Sequence, residues 1–187
     1  MNVLIVYAHP EPRSFNGSLK DVAVRTLQAL GHEVVVSDLY AMAFQPVVGP
    51  ADFLGERANA QTLSIPREQT RAYETGTLAP DIVAEQDKLR RANLVIFHFP
   101  LWWFGMPAIL KGWADRVLAR GFAYVAGRKY DTGLLAGRLA MISTTTGTSG
   151  AAGWHAAAAI RRGQLRLQLH AARCPGAPPH PVFRSVR

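Results

Sequence analysis

The chain has 187 residues, 49% of them hydrophobic and 18% charged, enough for one domain with a substantial core and too few for two comfortable ones. No apolar run approaches the roughly 20 residues that span a bilayer, so membrane insertion is not expected. The net charge of +8 invites a nucleic-acid reading, but residues 1–150 hold fifteen Lys and Arg against thirteen acids, while 151–187 hold six Arg and no acid; the excess belongs to a tail, and no nucleic-acid partner is expected.

The opening MNVLIVYAHP lacks a basic n-region and breaks at His9-Pro10. It reads as a first strand over 3–9, not a signal peptide. A loop rich in capping residues, PEPRSFNGSL, leads into a helix with Leu19, Val22, Ala23, Leu27 and Leu30 on one face and Gly31 as its stop. A second strand covers 33–39. Residues 40–80 form a long irregular excursion with one or two short helices. Pro80 opens a helix whose Ile82, Val83 and Leu89 turn toward a sheet. A third strand covers 93–100. Pro107 begins a helix to about Arg120 with Ile109, Leu110, Trp113, Val117 and Leu118 inward, and a fourth strand over 138–147 ends in a Thr/Gly loop. This order predicts an α/β three-layer sandwich with a mostly parallel sheet. Cys174 is the single cysteine. It excludes an intrachain disulfide and offers no metal-site spacing, so a cytoplasmic setting and no metal are expected.

Parallel strands share a direction, so the loops HPEPRSFN (9–16), PLWWFG (100–105) and TTTGTSG (144–150) should leave the sheet at one edge, where such folds bind ligands. The first puts Ser14, Phe15 and Asn16 at a helix start that favours an anion, with His9 and Arg13 as added donors; Ser14 or Asn16 acting as a plain helix cap explains the same residues. The second offers flat apolar surface suited to a planar cofactor, and for Trp102 and Trp103 core filler and cofactor wall stand even. Trp113, on the helix, reads as core. The third loop has small residues whose backbone N–H groups can approach a ring edge, or that form a hydroxyl-capped turn.

Together AHPEPRSFN, SDLYAMAFQP, LAPDIVAEQDKL, LVIFHFPLWWFGMPAILKGW, FAY with YDTG, and STTTGTSG resemble the flavodoxin-like NAD(P)H:quinone oxidoreductases over residues 3–150. The resemblance implies a flavodoxin-like fold, non-covalent FAD, NAD(P)H as donor, a quinone as acceptor, and a homodimer with active sites at the subunit interface. It implies hydride transfer from NAD(P)H to FAD, then two electrons to the quinone. By position, His9, Ser14, Phe15 and Asn16 would hold the FAD phosphates. Pro100, Leu101, Trp102, Trp103 and Phe104 would line the ring and ribityl chain. Thr145, Thr146, Gly147 and Thr148 would meet the ring edge, and Ala123, Tyr124, Val125 and Tyr130 would border the nicotinamide and quinone. The family also holds ancillary subunits of potassium-efflux systems, so a flavin-binding regulatory subunit is the alternative.

The pattern stops near Gly150. The family's tyrosine and histidine after this point have no equivalents here, Gly153 standing where the tyrosine would fall, so no catalytic residue is assigned. The fifth strand is expected to be missing or replaced. Residues 151–187 read as a divergent basic tail of aberrant composition, consistent with a shifted reading frame, with 164–170 as a candidate edge strand and 174–187 disordered. Such a loss would leave the fourth strand under-covered, and weaken folding or FAD retention.

Overall fold

The computed structural model describes residues 1–129 and 132–147, and the backbone course of 157–160. Its strands are β1 (Asn2–Tyr7), β2 (Glu33–Asp38), β3 (Leu94–Pro100), β4 (Leu139–Thr145) and β5 (Ala157–Ile160). Its helices are α1 (Phe15–Ala29), α2 (Ile65–Thr75), α3 (Pro80–Arg91) and α4 (Ala108–Val117), with a 3-10 turn at Pro50–Asp52. The sheet order is β2-β1-β3-β4-β5. β1 pairs in parallel with β2 and β3, and β3 with β4. β5 is short and antiparallel to β4. The fifth strand is thus replaced by one of opposite direction. The tail segments 151–156 and 161–187, including the expected edge strand at 164–170 and the proline-rich end, lie outside the described residues.

Strand alternation assigns the faces. Val3, Ile5 and Tyr7 of β1 join Ile96 and the α1 residues Ala23, Val24 and Leu27 on one side. Leu4, Val6 and Ala8 join Leu89, Leu110, Trp113 and Val117 on the other. α1 rests on a narrow stripe, so Val22 and Leu30, expected inward, are exposed at 49% and 67%. On α3 the buried stripe is Ile82, Glu85, Gln86 and Leu89, spaced i, i+3, i+4, i+7, which turns Val83 outward. Trp113 is fully buried, as expected, and packs edge-on against Phe97.

Polar groups lock α3 and the 40–80 excursion to α4. Trp113 Nε1 donates to Glu85 Oε2 at 2.8 Å, and Gln86 Nε2 donates to the Val117 carbonyl at the end of α4. Arg116 spends all five N–H groups on Asp52, Asp81 and the Gln45 carbonyl. Its guanidinium also lies over the Phe44 ring. Burial works against that charge, but the hydrogen bonds it donates to Asp81 and Asp52 hold the guanidinium above its ordinary pKa. The excursion touches α4 at one further point. A Cβ on Gly112 would lie 2.0 Å from the Pro46 carbonyl oxygen, so only glycine admits that approach.

β4 carries the thinnest cover of the central strands. Its Leu139–Ser143 are all only half-buried, whereas most of β3 is buried.

Candidate functional site

β1 and β3 lie side by side with β2 and β4 outside them, so the strand order reverses between them and opens a crevice at their carboxyl ends. The three loops singled out from sequence meet there. Asn16 Nδ2 donates to Thr145 Oγ1 at 2.8 Å, joining the first loop to the third. Leu101 N donates to the Thr145 carbonyl at 2.8 Å, joining the second to the third. The His9 and Trp102 rings pack with centroids 6.2 Å apart, joining the first to the second.

In the first loop Ser14 is the helix cap, its Oγ accepting from Gly17 N at 3.1 Å. The cap does not compete with an anion role. The Phe15 and Asn16 N–H groups still have no acceptor within the helix, and the first turn carries no acid. His9 Nδ1 lies 3.1 Å from both the N–H and the carbonyl of Glu11, so the loop's own backbone holds this ring nitrogen. Arg13 turns away to pair with Glu11 in an exposed contact of little energetic weight. The loop sits directly on α1: a Cβ on Gly17 would lie 1.9 Å from the Pro12 carbonyl oxygen. Gly17→Ala is therefore expected to cost about 1–3 kcal/mol by forcing the loop off the helix. Gly49→Ala, where nothing lies within 4 Å, should change stability by less than about 0.5 kcal/mol. Urea midpoints of the two variants check this; equal midpoints would contradict it.

The second loop is strained. Trp102 and Gly105 exchange backbone hydrogen bonds of 3.0 Å across a tight turn whose central residues, Trp103 and Phe104, have φ of 49° and 60°. Positive φ at both centres is the signature of a type I′ turn, normally Asn-Gly. Two bulky aromatics there each cost on the order of 1–3 kcal/mol. They also gain no core contact, being 96% and 84% exposed. Core filler is thereby excluded for Trp103 and Phe104. Trp102, 43% exposed, lies half in against His9. Pro100 is buried at the end of β3 and Leu101 is half-buried beside it.

In the third loop Thr145 and Thr146 are half-buried and Gly147 is exposed. Thr148 and Tyr130 lie outside the described residues. Ala123 packs against the main core. Tyr124 lines a separate cleft of 360 Å³ with Ile65, Gln69, Ala114, Asp115 and Leu118. No hydrogen bond or aromatic contact among the described residues joins Ala123, Tyr124 or Val125 to the three strand exits.

Three residues that sequence reasoning passed over complete the crevice floor. Tyr7, His98 and Ser143 stand abreast on β1, β3 and β4. The Tyr7 and His98 rings stack at 5.7 Å. His98, 3% exposed, contacts Asn16 O through Nε2 and Ser143 Oγ through Nδ1, both at 2.9 Å. Its one available signal was a histidine inside the otherwise apolar strand NLVIFHFP. Burial lowers the His98 pKa below the ordinary 6.5, although its hydrogen bonds pull the other way. A proton bound only by the unfolded chain makes stability rise with pH, so this contribution is whole above about 6.5 and lost as pH falls toward the folded value. Denaturation midpoints at pH 7.5 and 5.5 should show that decline, and His98→Gln should flatten it. An unchanged slope in the variant would assign the decline elsewhere.

Asn16 Oδ1 is buried with no hydrogen-bond partner among the described residues, and Tyr7 Oη, also buried, makes no bond of normal geometry although the Ser14 side chain is near enough to act on it. Both atoms lie at the start of α1, since Tyr7 Oη reaches from β1 to a point 3.4 Å from where a Gly17 Cβ would stand. The Thr145 hydroxyl can donate as well as accept, so the Asn16 amide can turn over and offer Nδ2 instead of Oδ1 to an anion. Orphaned polar atoms at a helix start, beside outward-facing aromatics, fit a flat ligand with an anionic tail.

A family model for the flavodoxin-like fold matches residues 1–184, and the chain belongs to that family. It is 55% identical over 145 residues to human ribosyldihydronicotinamide dehydrogenase [quinone], covering 78% of this chain and 63% of that protein. It is 52% identical over 147 residues to NAD(P)H dehydrogenase [quinone] 1 of Rattus norvegicus, covering 79% and 54%. Among solved structures it resembles a Klebsiella pneumoniae protein proposed to be a quinone reductase, with TM-score 0.76, 48% identity, and coverage of 79% and 60%. An NAD(P)H:quinone oxidoreductase of Methanothermobacter marburgensis matches with TM-score 0.60, 29% identity, and coverage of 81% and 69%. The chain thus spans somewhat over half the length of the quinone dehydrogenases it matches.

Proposed function

We propose that this chain is an FAD-dependent NAD(P)H:quinone oxidoreductase of the flavodoxin-like family. The observation that carries the reading is the strained turn holding Trp103 and Phe104 outward beside two joined polar loops. That expense in backbone strain and exposed apolar surface is accounted for by a planar ligand and by nothing inside the fold. The similarity to proteins named as quinone dehydrogenases supports the same chemistry.

The chemistry FAD supplies when bound is hydride acceptance from a reduced nicotinamide and two-electron delivery to a quinone. The residues of this chain bind, orient and exclude water. The start of α1, with Ser14, Phe15 and Asn16, would hold the diphosphate through backbone N–H groups and the helix dipole, with His9 beside it. Trp102, Trp103 and Phe104, with Pro100 and Leu101, form the flat wall that keeps water off the ring. Thr145, Thr146, Gly147 and Thr148 would offer donors to the ring edge, and donors there favour negative charge. Ala123, Tyr124, Val125 and Tyr130 border the nicotinamide and quinone. Because no hydrogen bond or aromatic contact among the described residues joins 123–125 to the crevice of their own chain, the homodimer reading gives them to the partner's site. The single cysteine is in keeping with a cytoplasmic setting.

Purified protein should be yellow, or take up added FAD, and should oxidise NADH, NADPH or dihydronicotinamide riboside with menadione as acceptor. Colourless protein that takes up no FAD would overturn the reading. Bound FAD without quinone-dependent turnover would leave flavin binding and remove the reductase.

A further inference from the structure

We propose that His98 is a positioning residue that sets the helix start of the first loop against the exit of β4, and so fixes the distance between the phosphate-side and ring-side donors. The flavin part of this statement rests on the function proposed above. The geometric part does not.

The hydrogen bonds around His98 form a closed circuit. The Asn16 carbonyl can only accept, so His98 Nε2 carries the proton and donates to it at 2.9 Å. Nδ1 is then an acceptor, and the Ser143 hydroxyl donates to it at 2.9 Å. From Ser143 the β4 backbone runs two residues to Thr145, whose Oγ1 accepts from Asn16 Nδ2 at 2.8 Å. Asn16 is therefore gripped twice, through its main chain by β3 and through its side chain by β4. The register places His98 opposite Tyr7 on one side and Ser143 on the other, so a single ring spans β1, β3, β4 and α1. The same strand register carries the positions on: two residues beyond His98 and Ser143, Pro100 stands opposite Thr145, and the next residue, Leu101, donates to the Thr145 carbonyl.

An imidazole with one buried donor and one buried acceptor in fixed directions is a demanding core occupant, and an apolar residue would remove the second donor from the Asn16 carbonyl, which also serves the α1 backbone, and the acceptor from the Ser143 hydroxyl. A glutamine side chain also offers one N–H donor arm and one carbonyl acceptor, so it can restore both contacts. Leucine fills similar space and restores neither.

The test uses the full chain with His98→Leu, His98→Gln and Ser143→Ala. Amide hydrogen exchange is read without ligand at Gly17 and Leu101, whose N–H groups bond to Ser14 Oγ and the Thr145 carbonyl. FAD affinity is read by fluorescence titration, and kcat and KM for menadione are read at saturating FAD. His98→Leu should speed exchange at both amides and weaken FAD by roughly tenfold each, as expected for loss of a buried hydrogen bond. His98→Gln should stay within about threefold of the parent. Turnover of His98→Leu at saturating FAD should fall in kcat more than it rises in KM, because the ring-side donors act on the reaction and not on quinone binding. Parent-like exchange in His98→Leu, or a His98→Gln as impaired as His98→Leu, overturns the proposal. Where His98→Leu does not fold, Ser143→Ala decides: faster exchange at Leu101 supports the proposal and parent-like exchange overturns it. A parent chain that takes up no FAD removes the flavin reading alone, and the exchange data still judge His98.

Discussion

Replacing Arg116 by methionine is expected to lower unfolding stability by about 3–5 kcal/mol, measured as the shift in a urea denaturation curve. The loss is large because the substitution removes the partner of a buried carboxylate. Asp52 is 3% exposed, and its Oδ1 accepts from both Arg116 Nε and Nη2, at 2.9 and 2.8 Å. Without Arg116 that carboxylate keeps, among the described residues, only the Gly49 N–H, which donates to Oδ2. A domain of this size is stable by about 5–15 kcal/mol, so the variant should sit near the edge of folding at room temperature. Asp81 offers the contrast. Its side chain is 43% exposed, so water can replace Arg116, and Asp81→Asn should cost less than about 1 kcal/mol. If Arg116→Met and Asp81→Asn shift the curve equally, burial of Asp52 is not what the arginine serves.

The second large effect has opposite signs in stability and binding. Writing Asn-Gly in place of Trp103-Phe104 gives the type I′ turn its preferred residues, and removes two bulky side chains from left-handed backbone. The ligand-free protein should gain about 2–4 kcal/mol across the two positions. The same change removes the two most exposed aromatics of the crevice, and FAD binding should weaken on the order of 100-fold. Thermal midpoints with and without FAD check both halves together: the variant should melt higher than the parent alone and respond less to added FAD. A variant that melts lower without ligand would show that the turn is not strained. Unchanged FAD affinity would show that these aromatics do not touch the cofactor.

The parallel sheet was open to reading from the sequence because its strands are short continuous apolar runs buried on both faces, as in VLIVY and LVIF. α1 was bounded by Ser14 and Gly31 for reasons of capping and turn conformation that act locally. What misled was the assumption that a helix buries all its apolar residues and shows all its polar ones. Val22, Leu30 and Val83 are apolar yet turned outward, because the contact stripe on each helix is narrower than the set of apolar positions. Glu85, Gln86 and Arg116 are polar yet buried, because each finds partners from segments distant in sequence. No local pattern reports a partner 64 residues away, as Asp52 is from Arg116. The three-loop crevice was legible in its parts, since parallel strands force their exits to one edge. The left-handed backbone at Trp103 and Phe104 was not, because turns of that type are recognised by asparagine and glycine. The circuit through His98 needs the strand register, which sequence alone does not give.

Gly17 and Gly112 share a geometry with a consequence for how the protein tolerates change. At each, a helix backbone lies against the carbonyl of a proline in an irregular segment, Pro12 or Pro46, with no space for a side chain between. At these points the segments are seated by main-chain shape and not by the side chains they carry. Exposed residues of the first loop and of the excursion that make no buried contact are therefore free to vary in a mutational library while the path of the chain is kept, provided both glycines and the buried Phe44, Asp52 and Phe53 remain. Diversity in those surfaces can be wide, and its limit is set by these few seated positions.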